Sequence, residues 1–351
     1  GFVLKQNAKV AEQIYEQTYD GLKEIMVIKN LILAIQNKTF TSEKLLFLQA
    51  PFSGQGVNAS HRLAKLSGLL EYFHARANAF YHIFNLFFFL DIHLIRALES
   101  WKSKNADYVS EWFDKVSEME AINSLAGFHH ANPSYQFPAI SEEGHSFEAT
   151  ALGHPLIAQE KRICNDAKLE GKGQVYIVTG SNMSGKSTFL RTVGINTVMA
   201  YAGAPVCASA MNLSLFNLFS CMRTIDDLSE SISSFYAELK RIRQLLDYAE
   251  NSTTPVFFMI DEVLKGTNSD DRHKGAKALA LQLSEMNVFG LISTHDITLG
   301  ALEEKGEKFR NLNFDSRLEG NEIIFDYKLK EGICQSFNAS WLMKKMGIKV
   351  E

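Results

Sequence analysis

Only four cysteines occur in the 351 residues, Cys164, Cys207, Cys221 and Cys334, and they stand too far apart to make a metal-ligand spacing. A reduced, cytoplasmic setting is therefore expected. An excess of either charge is also missing. The 36 Lys and Arg against 40 Asp and Glu leave a formal net charge of −4, which offers no general attraction to nucleic acid, so any DNA contact must be local or arise from an assembly. The start, Gly1 rather than Met, has nothing resembling a signal peptide and reads as a processed or partial chain. No clean membrane-spanning run is present. The most apolar stretch, Ala79 to Leu98 with Phe80, Phe84, Phe87, Phe88 and Phe89, is interrupted by His82, Asn85, Asp91 and His93, which predicts a buried helix instead. Internal repeats and low-complexity segments are absent too. What remains is an ordinary globular composition, 46% hydrophobic and 22% charged, in a chain long enough for two or three domains.

The most informative stretch runs from Gln174 to Leu190. The apolar, β-branched run Val175-Tyr176-Ile177-Val178-Thr179 suits a buried strand, and Ser187 onwards reads as a helix. Between them, Gly180-Ser181-Asn182-Met183-Ser184-Gly185-Lys186-Ser187-Thr188 fits the phosphate-loop spacing G-x-x-x-x-G-K-[ST]. Gly180 and Gly185 let the backbone turn its N–H groups inward at a helix N-terminus, where the partial positive charge favours phosphate. Lys186 supplies a mobile cation for the β- and γ-phosphates of a nucleotide, and the Ser187 hydroxyl is placed to ligate Mg²⁺.

Hydrolysis needs carboxylates as well, and Val256-Phe257-Phe258-Met259-Ile260 ends in Asp261-Glu262. In a second buried strand of this kind Asp261 would hold Mg²⁺ through water and Glu262 would orient and deprotonate the attacking water. A third strand, Phe289 to Thr294, ends at His295, whose imidazole is a candidate for reaching the γ-phosphate or the water.

Upstream, apolar residues at helical spacing from Val10 to Ile32 predict an amphipathic helix over Val3 to Gln36. A loop is expected at Pro51 to Gly56, then a long helix capped by Ser60 and running towards Lys104, then a third helix from about Tyr108 to Gly127. Residues 1–125 carry 13 basic and 13 acidic side chains, so this part reads as an all-helical support without a DNA-wrapping basic surface. Pro133, Pro138 and Gly144 break the periodicity and mark a change of domain: 1–127 all-helical, 128–351 α/β. The second part alternates strands and helices, with extended pieces at Phe147 to Leu152 and His154 to Ile157, strands near Val206 and Met222, and a helix from Ser233 to Glu250. This implies a mostly parallel sheet flanked by helices. A strand pair around Glu319-Gly320-Asn321 and a helix from Phe337 to Met346 close the chain.

These residues resemble the MutS group of ABC-type ATPases. Asn182-Met183 inside the phosphate loop is distinctive of that family. Asp226-Asp227-Leu228 with Ser233-Ser234-Phe235 resembles its signature segment, Asp261-Glu262 with Gly266-Thr267 its Walker B and D-loop, and Ser293-Thr294-His295-Asp296 its switch region. His154-Pro155, Ser124-Leu125-Ala126 with Tyr135 and Pro138, and Gly332 with Ser336 and Phe337 follow the same pattern, which covers about residues 118 to 348. Residues before that resemble the family's core and lever helices more weakly.

The resemblance implies a dimer with two composite ATP sites, in which Ser233 at the N-terminus of its helix approaches the γ-phosphate held by the other subunit. Ser233 also reads as a plain helix N-cap, with Ser229 and Ser231 as competitors. Asn182 would contact phosphate and residues near Ile163 would lie against the adenine. The chain departs from the family at Leu264-Lys265, where Gly-Arg usually stands, and at Ser231, where the signature has Gly. It contains no Phe-x-Glu mismatch-reading module and no room for mismatch and connector domains before the lever helices. Two functions are implied: an ATP-dependent DNA-structure-binding switch that works with other repair proteins, and an ATP-driven switch for protein assembly without DNA. A transporter-type ABC subunit is a weaker third, since no spanning helix or membrane contact is evident.

Overall fold

The computed structural model describes residues 12–16, 18, 21–54, 58–77, 79–222, 234–319 and 322–335. The chain divides into two compact units, Gly1–Gly127 and Phe128–Glu351. In the first, the described helices are α1 (Gly21–Gln36), α2 (Glu43–Ser53), α3 (Ala59–His74), α4 (Ala79–Phe88) and α5 (Leu90–Ala131), with the division falling inside α5. Their common core gathers Ile32, Phe52, Ala59, Leu63, Trp112 and Val116. Full burial of side chains the size of Phe52 or Trp112 contributes about 1.5–3 kcal/mol each.

Several helix boundaries differ from the expected ones. Pro51 sits inside α2 rather than in a loop. The end of that helix is held by distant donors, since the Gln36 side chain donates to the Phe52 carbonyl at 2.7 Å and the Trp112 indole to the Pro51 carbonyl at 3.3 Å. Asn58, not Ser60, caps α3: its side-chain oxygen accepts from the His61 N–H at 3.0 Å, and Ser60 donates to the same oxygen at 3.0 Å. The single long helix expected towards Lys104 is interrupted by a 3-10 turn at Ala75–Ala77 and broken at Phe89, whose φ is 50°, and the helix expected from Tyr108 to Gly127 belongs to α5. A polar cluster fixes the break. Asp91 is 3% exposed and accepts from Tyr81 and from Asn85, each at 2.8 Å, with Arg76 at 3.7 Å. The apolar stretch expected to be buried has Phe80, Phe84, Phe87, Phe88 and Phe89 exposed instead. Apolar content predicted burial there, but the side chain drawn inside is Asp91, because its carboxylate finds a full set of donors.

The second unit contains β1 (Ala139–Ser141), β2 (Ser146–Leu152), β3 (Asn165–Glu170), β4 (Gln174–Gly180), α6 (Lys186–Tyr201), β5 (Ala210–Ser214), β6 (Asn217–Cys221), α7 (Ser234–Asn251), β7 (Val256–Ile260), α8 (Ser269–Ser284), β8 (Val288–Thr294), β9 (Phe309–Glu319) and β10 (Glu322–Glu331). A six-stranded sheet has the order β10-β9-β4-β8-β7-β6, parallel throughout except for the antiparallel edge pair β9–β10. Its central strands are apolar at nearly every position because both faces are covered. Tyr176, Val178, Phe257, Met259, Phe289 and Leu291 turn to one face, with Phe189 and Val193 of α6. Val175, Ile177, Phe258, Ile260 and Ile292 turn to the other, with Leu245 of α7 and Leu279 of α8. Alternation with a period of two puts successive residues of one run into separate cores.

A second sheet, order β1-β5-β2-β3, is largely antiparallel and was not evident in the sequence. His154 to Ile157, expected as extended, forms a turn, and Val206 makes only an isolated bridge to Gln136. The expected helix from Phe337 to Met346 lies outside the described residues. No helix among the described residues is long and apolar enough to cross a membrane.

Candidate active site

Three neighbouring parallel strands, β4, β8 and β7, bring their C-terminal ends to one edge of the sheet, where open α/β sheets hold ligands. At the end of β4 the backbone leaves the strand through Gly180 (φ 153°), passes Met183 (φ 68°) and Gly185 (φ 113°), and enters α6 at Lys186. A Cβ on Gly180 would lie 2.6 Å from the Phe314 carbonyl oxygen and 2.7 Å from Ser184 Oγ, so the loop closes only around a residue without a side chain. Ser181 Oγ and Ser184 Oγ are buried with no hydrogen-bond partner among the described residues, while Asn182, Met183 and Thr188 are exposed. Lys186 is 5% exposed, and its ammonium donates to the carbonyls of Gly180 at 2.8 Å and Ser181 at 3.0 Å. Burial pushes the Lys186 pKa down to about 8 against the opposing pull of Glu262 and Asp261.

At the end of β7, Asp261 Oδ1 accepts from Ser187 at 3.0 Å and from Ser293 at 2.6 Å. Ser293, at the end of β8 and fully buried, also accepts the Glu262 backbone N–H at 2.9 Å. Glu262 holds φ 54°, a left-handed conformation that a non-glycine residue adopts at a cost of about 1–3 kcal/mol. Its carboxylate meets His295 Nε2 at 2.9 Å on one oxygen and the Lys265 ammonium on the other. Burial pushes the Glu262 pKa up, but the bonds from Lys265 and His295 outweigh it and hold the carboxyl below its ordinary range. His295 Nδ1 lies 3.0 Å from the Gly180 carbonyl and 3.5 Å from Lys186 Nζ. Polar contacts thus run in one series from Ser187 through Asp261, Ser293, Glu262, His295 and Gly180 to Lys186, the chain neighbour of Ser187.

Beside the loop, a cavity of about 280 Å³ is lined by Ile163, Gly185, Thr188, Phe189, Phe314 and Tyr327, among others. Ile163 is therefore set next to the Gly180–Thr188 loop. Several supports were invisible in the sequence. Leu264 has φ 54°, and its N–H is held by the carboxylate of Glu238 from α7, which burial pushes above its ordinary pKa. No motif links positions 238 and 264, so only folding pairs them. Phe314 likewise closes over the loop from β9, a strand with no recognisable site motif.

With this geometry in place, a family model for MutS domain V matches residues 176–346. The DNA mismatch repair protein MutS of Thermosipho melanesiensis is 30% identical over 242 residues, covering 67% of this chain and 29% of that protein. The protein of the same name from Thermotoga maritima is 28% identical over 262 residues, covering 74% and 32%. The one from Listeria welshimeri is 29% identical over 223 residues, covering 62% and 25%. The chain belongs to the MutS family. It spans about a third or less of the length of these MutS relatives.

Within the MutS pattern the structure brings together Gly180, Ser181, Ser184, Gly185, Lys186, Ser187, Asp261, Glu262 and His295, with Ile163 alongside. Ser233 and the part of the expected signature segment at Asp226 to Leu228 lie outside the described residues, while Ser234 and Phe235 open α7. Lys265, one of the departures from the MutS pattern, is the residue whose ammonium reaches Glu262.

Proposed function

We propose that the second unit binds ATP with Mg²⁺ and hydrolyses it to ADP and phosphate. The series linking Lys186, Ser187, Asp261, Ser293, Glu262 and His295 carries this reading. The residues suit the ligands. Two buried hydroxyls without partners among the described residues, Ser181 and Ser184, line a loop into which no side chain fits at Gly180, and the Ser187 hydroxyl beside the Asp261 carboxylate is a hard oxygen pair of the kind Mg²⁺ takes. Bound Mg²⁺ would neutralise charge on the β- and γ-phosphates. Lys186 would exchange its two carbonyl partners for phosphate oxygens, and Asn182 and the loop N–H groups would add donors. Glu262 would take a proton from the water that attacks the γ-phosphorus as the bridging bond to the β-phosphate breaks. His295, tied to both Glu262 and Gly180, would orient that carboxylate towards the γ-phosphate. Ile163 would pack against the base.

Two such chains would complete each other's sites through Ser233, and ATP binding and hydrolysis would switch that dimer in concert with DNA and other repair proteins. The name of its relatives, DNA mismatch repair protein, supports the DNA reading. The even charge of residues 1–125 favours a second reading, a switch for protein assembly without DNA. A steep salt dependence of duplex, mismatched or branched DNA binding by the dimer selects the first.

Lys186→Ala tests nucleotide binding: affinity for a fluorescent ATP analogue should be abolished or greatly weakened, and unchanged affinity would remove the phosphate-loop assignment. Glu262→Gln should keep that affinity and slow phosphate release by about 10²-fold or more. Equal turnover would assign the base elsewhere.

A further inference from the structure

The helical unit has a neutral charge total but not a uniform distribution. Arg62 and Lys65 on α3 and Lys104 on α5 line one groove of about 640 Å³ together with His61, and among the described residues no carboxylate lies on its wall. Among the described residues, no ion pair involves Arg62, Lys65 or Lys104.

Among the described residues, the groups that hold Arg62 in place are neutral. Its Nη1 donates to Asn105 Oδ1 at 3.0 Å, and its guanidinium lies 5.3 Å from the centre of the Tyr108 ring. Asn105 is 4% exposed, and its Nδ2 donates to the Trp101 carbonyl at 2.6 Å, which leaves the oxygen as the side facing Arg62. The Trp101 indole in turn donates to the Arg62 carbonyl at 2.8 Å. A guanidinium has five N–H donors in a planar fork, and a single amide oxygen neither uses them up nor neutralises the charge. Arg62 is thus fixed in orientation while its charge stays uncompensated. Lys65, three residues on, falls on the same face of α3, and Lys104 faces both across the groove. Like charges gathered in this way are relieved by an anion, and a guanidinium fork fits the oxygens of phosphate in particular.

We propose that this groove binds a phosphate group, with Arg62 as the oriented donor, Lys65 and Lys104 as flanking charges, and the Trp101 and Tyr108 rings as the surface for whatever the phosphate is attached to. Phosphate of this kind comes either from the backbone of a nucleic acid strand or from a free phosphorylated small molecule. The site lies wholly within the helical unit and does not depend on the ATP reading.

The test uses the whole chain carrying Lys186→Ala, which silences the phosphate loop. A fluorescent 20-nucleotide single strand and inorganic pyrophosphate serve as probes. The double variant Lys65→Glu/Lys104→Glu changes exposed side chains only, and Arg62→Gln provides a second readout, with thermal unfolding confirming that each is folded. The double variant should weaken strand binding at least tenfold and reduce the slope of log K against log salt by about 1.4 for two lost contacts. Arg62→Gln should weaken it as well. Strand binding that pyrophosphate does not displace identifies nucleic acid. Pyrophosphate binding lost in the same variants identifies a small phosphorylated ligand. Equal affinity and salt slope for parent and variants, or no binding of either probe by the parent below millimolar concentration, overturns the proposal.

Discussion

Ser293→Ala removes one hydroxyl, and the structure sets how much should follow. Ser293 Oγ donates to the Asp261 carboxylate and accepts the Glu262 N–H, at 2.6 Å and 2.9 Å, from a fully buried position. A bond to a charged group contributes about 1.5–3 kcal/mol and a neutral one about 0.5–1.5 kcal/mol, so the loss should be about 2–4.5 kcal/mol. For a unit of this size that lowers Tm by about 5–15 °C in the nucleotide-free chain. The effect on turnover has a separate cause. Glu262 is kept at φ 54° partly by the bond to its N–H, and once released the carboxylate moves; a displacement of about 1 Å is enough to cost about 10²-fold. Calorimetry, titration with a fluorescent nucleotide and phosphate release should therefore show a lower Tm, nearly unchanged nucleotide affinity and turnover reduced at least tenfold. Ser293→Thr keeps the hydroxyl and should recover much of the turnover. An alanine variant with Tm within about 1 °C of the parent and full turnover would refute the reasoning.

Lys265→Met should raise turnover, because Glu262 must give up the Lys265 ammonium before it accepts a proton from water. Lys265 is 58% exposed, and an exposed pair is worth about 0.2–1 kcal/mol, which limits the gain to about fivefold; a steady-state fall in kcat would contradict this role. Asp296→Asn probes pH dependence. Burial raises the Asp296 pKa, but bonds from Thr298 and His273 outweigh it and leave the carboxyl below its ordinary value. A depressed folded pKa stabilises above the unfolded value of about 4 and is lost as pH falls through the folded one. Denaturant titration should find the variant less stable by about 1 kcal/mol at pH 7, with the gap closing below pH 4, whereas a gap that persists at pH 2.5 would assign it to packing.

The local pattern was enough where neighbouring residues in the chain carry the physics. Gly180 to Thr188 between an apolar strand and a helix foretold a tight strand-to-helix loop, and the apolar run into Asp261-Glu262 foretold a buried strand presenting acids at its end. Both features are local, set by strand periodicity and by the backbone freedom of glycine. The mostly parallel order of the large sheet was legible for the same reason, since strands alternating with helices must return in the same direction.

In the helical unit, apolar content pointed to burial of Phe80 to Phe89, but that content does not say which polar group will find partners, and Asp91 did. Pro51 in a helix, the antiparallel second sheet and the Arg62 groove rest on contacts between residues far apart in the chain. The amino-acid sequence by itself determined the residue types of the site and the strands that end in them. Only tertiary structure decided that Ser293 would join the two acids and that Glu238 would hold Leu264, because a hydrogen bond depends on distance in space and, between residues far apart in the chain, leaves no trace in their spacing.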